Sequence, residues 1–268
     1  MRDEAGDTAF SGSIPTLYDR LLGPLLFEPY ARLAAQRVAL LEPRRILELA
    51  AGTGILTAEL HRAVPNADIV ATDLNPAMLD IAAEKLEAGA VTLAPADALD
   101  LPFDDESFDV VVCQFGVMFY PDKVRGHAEA RRVLGPGGTY LAIIWDSLDR
   151  NPVSHAIADA VAAEYPDDPP RFMERAPFSY ADTARIEADL RAAGFTDISI
   201  DRVAAHSRVD AAAAAEGMCR GSPMSVEIAE RGTDAVDRAT AAATRALASL
   251  EGQDAPMSAL FVAARNAT

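Results

Sequence analysis

The sequence predicts an α/β protein built on a doubly wound, seven-stranded, mostly parallel sheet, with a helical segment before it and helical lid insertions after it. Three observations predict this class. From Arg44 to Trp145 short apolar, β-branched runs alternate with longer segments of helical period, as in successive βα units. Val110-Val111-Val112 is continuously apolar, which suits a strand covered on both faces. Ile46-Leu47-Glu48-Leu49 runs straight into the small-residue turn Ala50-Ala51-Gly52-Thr53-Gly54, where glycine lets the backbone approach a ligand and aim amides at it.

In chain order, Ser13 to Leu41 reads as one or two helices rich in aromatics and leucine. Strands are predicted at Ile46–Ala50, Asp68–Asp73, Val91–Ala94, Phe108–Gln114 and Thr139–Trp145. Helices are predicted at Ile55–Ala63, Ala77–Ala88 and Asp122–Leu134, the last ended by a Gly135-Pro136-Gly137-Gly138 turn. Beyond Trp145 the alternation lapses. A helix followed by the Pro166–Pro170 loop fits Asn151–Tyr180, and a helix stopped by Gly194 fits Ala181–Ala193. Two more strands, Thr196–Ser207 and Met257–Ala264, flank the alanine-rich segment Asp210–Leu250, which alanine's helix propensity makes helical. The organisation expected is a helical cap over 1–42, a ligand-binding core over 43–146, and over 147–268 a helical lid plus the last two strands of the same domain.

Composition narrows the partners. A formal net charge of −17, with Lys85 and Lys123 the only lysines, offers no basic stripe for phosphates and argues against nucleic acid and anionic membranes. Cys113 and Cys219 lie far apart, giving neither a disulfide framework nor a metal spacing, so two free thiols and no metal are expected. The N-terminus is acidic where a secretory leader would be basic and then apolar, and the apolar stretch Val110–Tyr120 is too short to span a bilayer. The reading is a cytoplasmic protein.

The turn after the first strand is the most informative stretch. A dinucleotide fingerprint G-x-G-x-x-G competes for it, but Thr57 stands at the third glycine position and Glu48 sits in the strand. Asp73, at the end of the second strand with Leu74 beside it, lies where a carboxylate can accept both hydroxyls of an adenosine ribose. A nicotinamide cofactor and S-adenosylmethionine share that ribose, so Asp73 alone does not choose between them.

Glu48 to Gly54 resembles the glycine motif of class I S-adenosylmethionine-dependent methyltransferases. Asp73 resembles that family's ribose acid, and Ala96-Asp97-Ala98 its adenine-edge acid. Phe103 to Val111, followed by Leu134-Gly135-Pro136-Gly137-Gly138, is similar to the run found in methyltransferases of the ubiquinone/menaquinone type. The resemblance covers about residues 40 to 146. It implies a Rossmann-like fold and S-adenosyl-L-methionine as the methyl donor. It also implies that Glu48 reaches toward the cationic methionine amino group, Gly52 and Gly54 pack against that moiety, Asp97 accepts the adenine amino group, and the Ala98 amide donates to a ring nitrogen. Ala50 stands where a motif glycine often does, and is expected to be tolerated with a negative φ.

Methyl transfer from a sulfonium needs in-line placement and exclusion of water, and a base only where the acceptor must lose a proton. Gln114 and Phe115, at the end of the fourth strand, are expected to face donor and acceptor. No Asn-Pro-Pro-Tyr-type motif follows that strand, which argues against nucleobase or glutamine nitrogens as acceptors. Tyr18 resembles a tyrosine that closes over the donor in related enzymes. Phe27, Tyr30, Phe115, Trp145 and Met218 are candidates for the acceptor pocket, and His155 is the candidate base. The Asp210–Leu250 segment reads as a cap over an apolar acceptor or as a homodimer contact. The function expected is methyl transfer to an O, N or C atom of a small-molecule acceptor. The alternative is an S-adenosylmethionine-binding protein without methyl transfer, either a regulatory module or another sulfonium-using enzyme.

Overall fold

The computed structural model describes Gly12 and residues 14–267. The acidic N-terminus and Ser13, the expected start of the first helix, lie outside the described residues. The chain divides into two compact units. The sheet unit comprises Tyr30–Trp145, Tyr180–Val203 and the chain from Ala259. The helical unit comprises the described residues up to Pro29, Asp146–Ser179 and Ala204–Ser258.

The sheet is assembled from β1 (Arg45–Leu49), β2 (Asp68–Asp73), β3 (Thr92–Pro95), β4 (Phe108–Gln114), β5 (Leu134–Trp145), β6 (Asp197–Arg208) and β7 (Asp254–Arg265). The last five residues of β6 and the first five of β7 fall in the helical unit. Strand order is β3-β2-β1-β4-β5-β7-β6. Pairings among β1 to β5 are parallel, and β7 runs antiparallel to β5, from Thr139 opposite Arg265 to Trp145 opposite Ala259. The order reverses between β1 and β4. Their register, Glu48 opposite Val112 and Leu49 opposite Cys113, brings the ends of both strands level at that switch point, where open α/β sheets bind ligands.

Local chemistry sets the helices that cover this sheet. Pro76–Lys85 starts with proline at its first turn, and the Asn75 side chain caps it by accepting from the Ala77 amide. Lys123–Val133 is capped by Asp122 and buries Gly126, His127, Ala130 and Val133, one stripe of helical period. Gly126 is needed there: a Cβ would stand 2.5 Å from the Tyr120 ring. Thr183–Ala192 is capped by Asp182 and released by Gly194 at φ +96°.

Two expectations change. The helix before β5 ends at Val133, and Gly135 to Gly138, expected as a turn, lie inside β5. Phe108 opposes Leu134 but Val110 opposes Thr139, so the glycines form a bulge in the longer strand. Gly137 and Gly138 are held there by backbone bonds to Asn266, whose side chain also donates to the Leu134 carbonyl at 2.7 Å. The helix expected to reach Ala88 stops at Lys85.

In the helical unit a short helix, Ile14–Leu17, leads into a π-helical segment, Tyr18–Phe27, that contains Pro24 and so lacks one backbone donor. Helix Ala211–Arg220 meets this segment through Gly217, where a Cβ would stand 2.6 Å from a Leu22 methyl. The alanine-rich segment forms Ala211–Arg220, Met224–Ala229 and Ala235–Leu247; in the last, Ala235, Ala239, Ala242, Ala243 and Leu247 are buried. The alanines on one face of each longer helix are core, and Ala212, Ala241 and Ala246 on the other are exposed. Asn151 ties distant chain together, donating to the Ser147 and Ser258 carbonyls and accepting from the Ser258 amide, all at 3.1 Å. Both cysteines are free and buried. Among the described residues no helix is long and apolar enough to cross a membrane.

Candidate functional site

The site candidate of the sheet unit is the carboxyl edge of β2, β1 and β4. Thr72 donates its hydroxyl to the Glu48 carbonyl at 2.9 Å, and the Ala51 amide donates to the Thr72 carbonyl at 2.9 Å, so the turn after β1 leans on β2. Asp73 completes the clamp. Its Oδ2 accepts the Gly52 amide and its Oδ1 the Asn75 amide, both at 2.8 Å. Each oxygen keeps a lone pair for another donor. Gly52 and Gly54 are left-handed, φ +56° and +78°, and at Gly54 a Cβ would stand 2.8 Å from that of Ala82. Only glycine fits there.

Glu48 is 1% exposed, and among the described residues its Oε2 has no hydrogen-bond partner. Burial, with the negative charge of Asp73 adding to it, pushes this carboxyl up to about 8. Burial also raises Asp73, against the pull of its two amide donors. Two acidic side chains thus stand at one strand edge, and among the described residues neither is paired with a side-chain cation. The charged form of a buried acid left this way is costly unless a cationic ligand meets it. The buried hydroxyl of Thr53 also lacks a partner among the described residues, and that of Thr57 faces the Glu48 carboxyl and pulls it down against its burial. These two residues were not among the sequence candidates; the run Gly52-Thr53-Gly54 and a threonine one turn into the following helix are the signals that mark them.

The remaining candidates of this unit line the same edge. Leu74 is 65% exposed beyond β2. Asp97 accepts the Leu99 amide at 2.9 Å in a turn after β3, with Ala98 beside it. Gln114 ends β4. Phe115, directly after β4, and Trp145, ending β5, stack with centroids 3.9 Å apart and planes 8° from parallel. Tyr30 is fully buried, meets both rings edge-on at 5.5 and 5.6 Å, and donates its hydroxyl to the Val203 carbonyl, so it braces the stack.

Ala50 departs from expectation: its φ is +52° and not negative. Just beyond the neighbouring strand β4, Gly116 leaves room for the Ala50 methyl. A cavity of about 420 Å³ at the opposite, amino-terminal end of the sheet, lined among others by Arg44, Asp109, Gly138 and Arg265, holds none of the candidates.

The other four candidates belong to the helical unit. Tyr18 stacks on Phe27 at 4.8 Å. Met218 is buried, its carbonyl accepting the Ser222 hydroxyl. His155 is more than a third exposed, 3.7 Å from Asp149 and 3.6 Å from Asp159.

This sheet order, with its antiparallel last strand, defines the class: an α/β fold shared with solved S-adenosylmethionine-dependent methyltransferases. Phosphoethanolamine N-methyltransferase 2 of Haemonchus contortus, solved with S-adenosyl-L-methionine, superposes with a TM-score of 0.62 at 19% identity, covering 100% of this chain and 60% of that one. Within that class, residues 46–138 match the family model described as methyltransferase domain. The chain is 40% identical over 129 residues to a demethylmenaquinone methyltransferase of Deinococcus radiodurans, covering 47% of this chain and 54% of the relative. It is 34% identical over 143 residues to the ubiquinone/menaquinone biosynthesis C-methyltransferase UbiE of a Geobacter species, covering 50% and 61%. The chain spans about half the length of the curated relatives it matches.

Proposed function

We propose that this chain transfers a methyl group from S-adenosyl-L-methionine to a small-molecule acceptor, and that the acceptor atom is a carbon of an electron-rich ring of the quinol type. The observation that carries the first half is the buried carboxylate edge: Glu48 with its bare Oε2, Asp73 clamping the glycine turn, and no side-chain cation paired with either among the described residues. When bound, S-adenosylmethionine supplies an activated methyl on a positively charged sulfur. The chain's residues do the rest. Glu48 receives the cationic amino group, Asp73 the ribose hydroxyls, Asp97 and the Ala98 amide the adenine edge, and Leu74 gives the adenine an apolar face.

The relatives' names and the aromatic stack support the second half. Phe115 and Trp145 present a flat, π-rich wall, which suits a planar ring better than a flexible aliphatic acceptor. A net charge of −17 favours neutral or cationic acceptors over polyanions. His155 is the proposed proton acceptor. His155→Ala tests that role: a loss of kcat of about 100-fold or more supports it, and a change under about threefold removes it.

The proposal is tested by incubating the protein with S-adenosylmethionine and 1,4-naphthohydroquinone under reducing conditions and following S-adenosylhomocysteine and the ring-methylated product. Product that depends on Asp73 supports it. S-adenosylmethionine bound without turnover on any of a panel of quinols, phenols and amines would shift the function to a binding module.

A further inference from the structure

Ala50 and Phe115 directly follow β1 and β4 and are both left-handed, at φ +52° and +55°. For residues carrying a side chain that conformation costs about 1–3 kcal/mol each and persists only where surroundings enforce it. Here the two meet through Gly116. A Cβ placed on Gly116 would stand 2.4 Å from the Ala50 Cβ and 2.8 Å from the Cys113 sulfur, so the Ala50 methyl occupies the space that Gly116 leaves bare. Gly116 is joined by one peptide bond to Phe115, whose amide donates to the Ile143 carbonyl of β5 at 2.8 Å and whose ring lies on Trp145. One methyl contact and one peptide bond therefore link the glycine turn that would hold the donor to the aromatic wall that would hold the acceptor.

We propose that Ala50 is a positioning residue: its methyl, seated against Gly116, fixes the Phe115–Trp145 stack to the donor turn, so that filling the turn is felt at the stack. The proposal rests on the reading of that turn as the S-adenosylmethionine site. Glycine at position 50 would relieve the backbone strain but remove the contact.

Trp145 is the only tryptophan in the chain and reports on the stack directly. On titration with S-adenosylhomocysteine, wild-type emission changes. Ala50→Gly, read at its own saturation, loses most of that change, and Ala50→Ser, which keeps the Cβ, retains it. An undiminished response in Ala50→Gly overturns the proposal, as does a silent Trp145 in wild-type protein that calorimetry shows to be binding. If calorimetry shows no binding, the donor-site reading fails and the link is tested without ligand. In a Cys113→Ala background, which removes the second clash, Gly116→Ala shifts Trp145 emission and added Ala50→Gly reverses the shift; no shift, or no reversal, overturns the link. If Gly116→Ala does not fold, near-UV circular dichroism decides: the Trp145 band altered in Ala50→Gly and kept in Ala50→Ser supports the link, and an unaltered band overturns it.

Discussion

Replacing Glu48 by glutamine should make the empty protein more stable in alkaline solution while weakening its hold on a cationic ligand. Glu48 is buried, and burial raises its carboxyl from 4.5 to about 8. The sign follows from linkage. The folded state holds this proton more tightly than the unfolded chain, so the contribution is fully present below pH 4.5 and is lost as pH rises through about 8. Each pH unit inside that window costs about 1.4 kcal/mol, about 5 kcal/mol across the whole of it, which is comparable with the net stability of many domains. Glutamine has the same shape and no charge to bury. Urea unfolding followed by Trp145 emission, in the unit that contains Glu48, should therefore show the advantage of Glu48→Gln over wild type growing by about 2 kcal/mol between pH 6.5 and 8. Stability curves that run parallel across that interval would refute the reasoning, because they would mean that Glu48 titrates alike in both states.

Asp73→Ala should weaken S-adenosylhomocysteine binding by about 30-fold or more, since it removes charge-assisted acceptors and frees the Gly52 amide it clamps; calorimetry reads the change. Gly54→Ala should cost about 2–4 kcal/mol in urea unfolding, from a left-handed φ of +78° and a Cβ driven to 2.8 Å from Ala82. His127→Gln should flatten the acid limb of stability. Burial lowers this histidine from 6.5 to about 4, so its folded state refuses a proton that the unfolded chain takes up. Wild type should lose about 3 kcal/mol more than the variant as pH falls from 6.5 to 4, and equal losses would contradict the assignment.

Much of the sheet's carboxyl edge was legible because local pattern and tertiary placement coincide there. Val110 to Cys113 are apolar and form a buried central strand, and Glu48 to Gly54 carry their glycines where the backbone is left-handed. Asp73 sits at the end of β2, as its spacing from Gly52 implied. Legibility failed where distant chain decides. Gly135 to Gly138 carry every local signal of a turn, yet Asn266, about 130 residues away, holds the stretch in a bulged strand. Alanine's own preference put Ala50 at a negative φ; it is left-handed, and its methyl sits in the space that Gly116, 66 residues on, leaves bare. Asn151 and Ser258 show no mark in sequence of the buried bonds that join them across 107 residues. The aromatic candidates could be named, but that Tyr30 braces the Phe115–Trp145 stack needed three separate segments to converge.

The most direct test of the carboxylate edge as an S-adenosylmethionine site is calorimetric titration of the folded protein with S-adenosylmethionine, with the Asp73→Ala variant alongside. One-to-one binding that is lost or sharply weakened in the variant is the result predicted. No heat at millimolar ligand from protein that circular dichroism shows to be folded, or equal affinity in the variant, would contradict it.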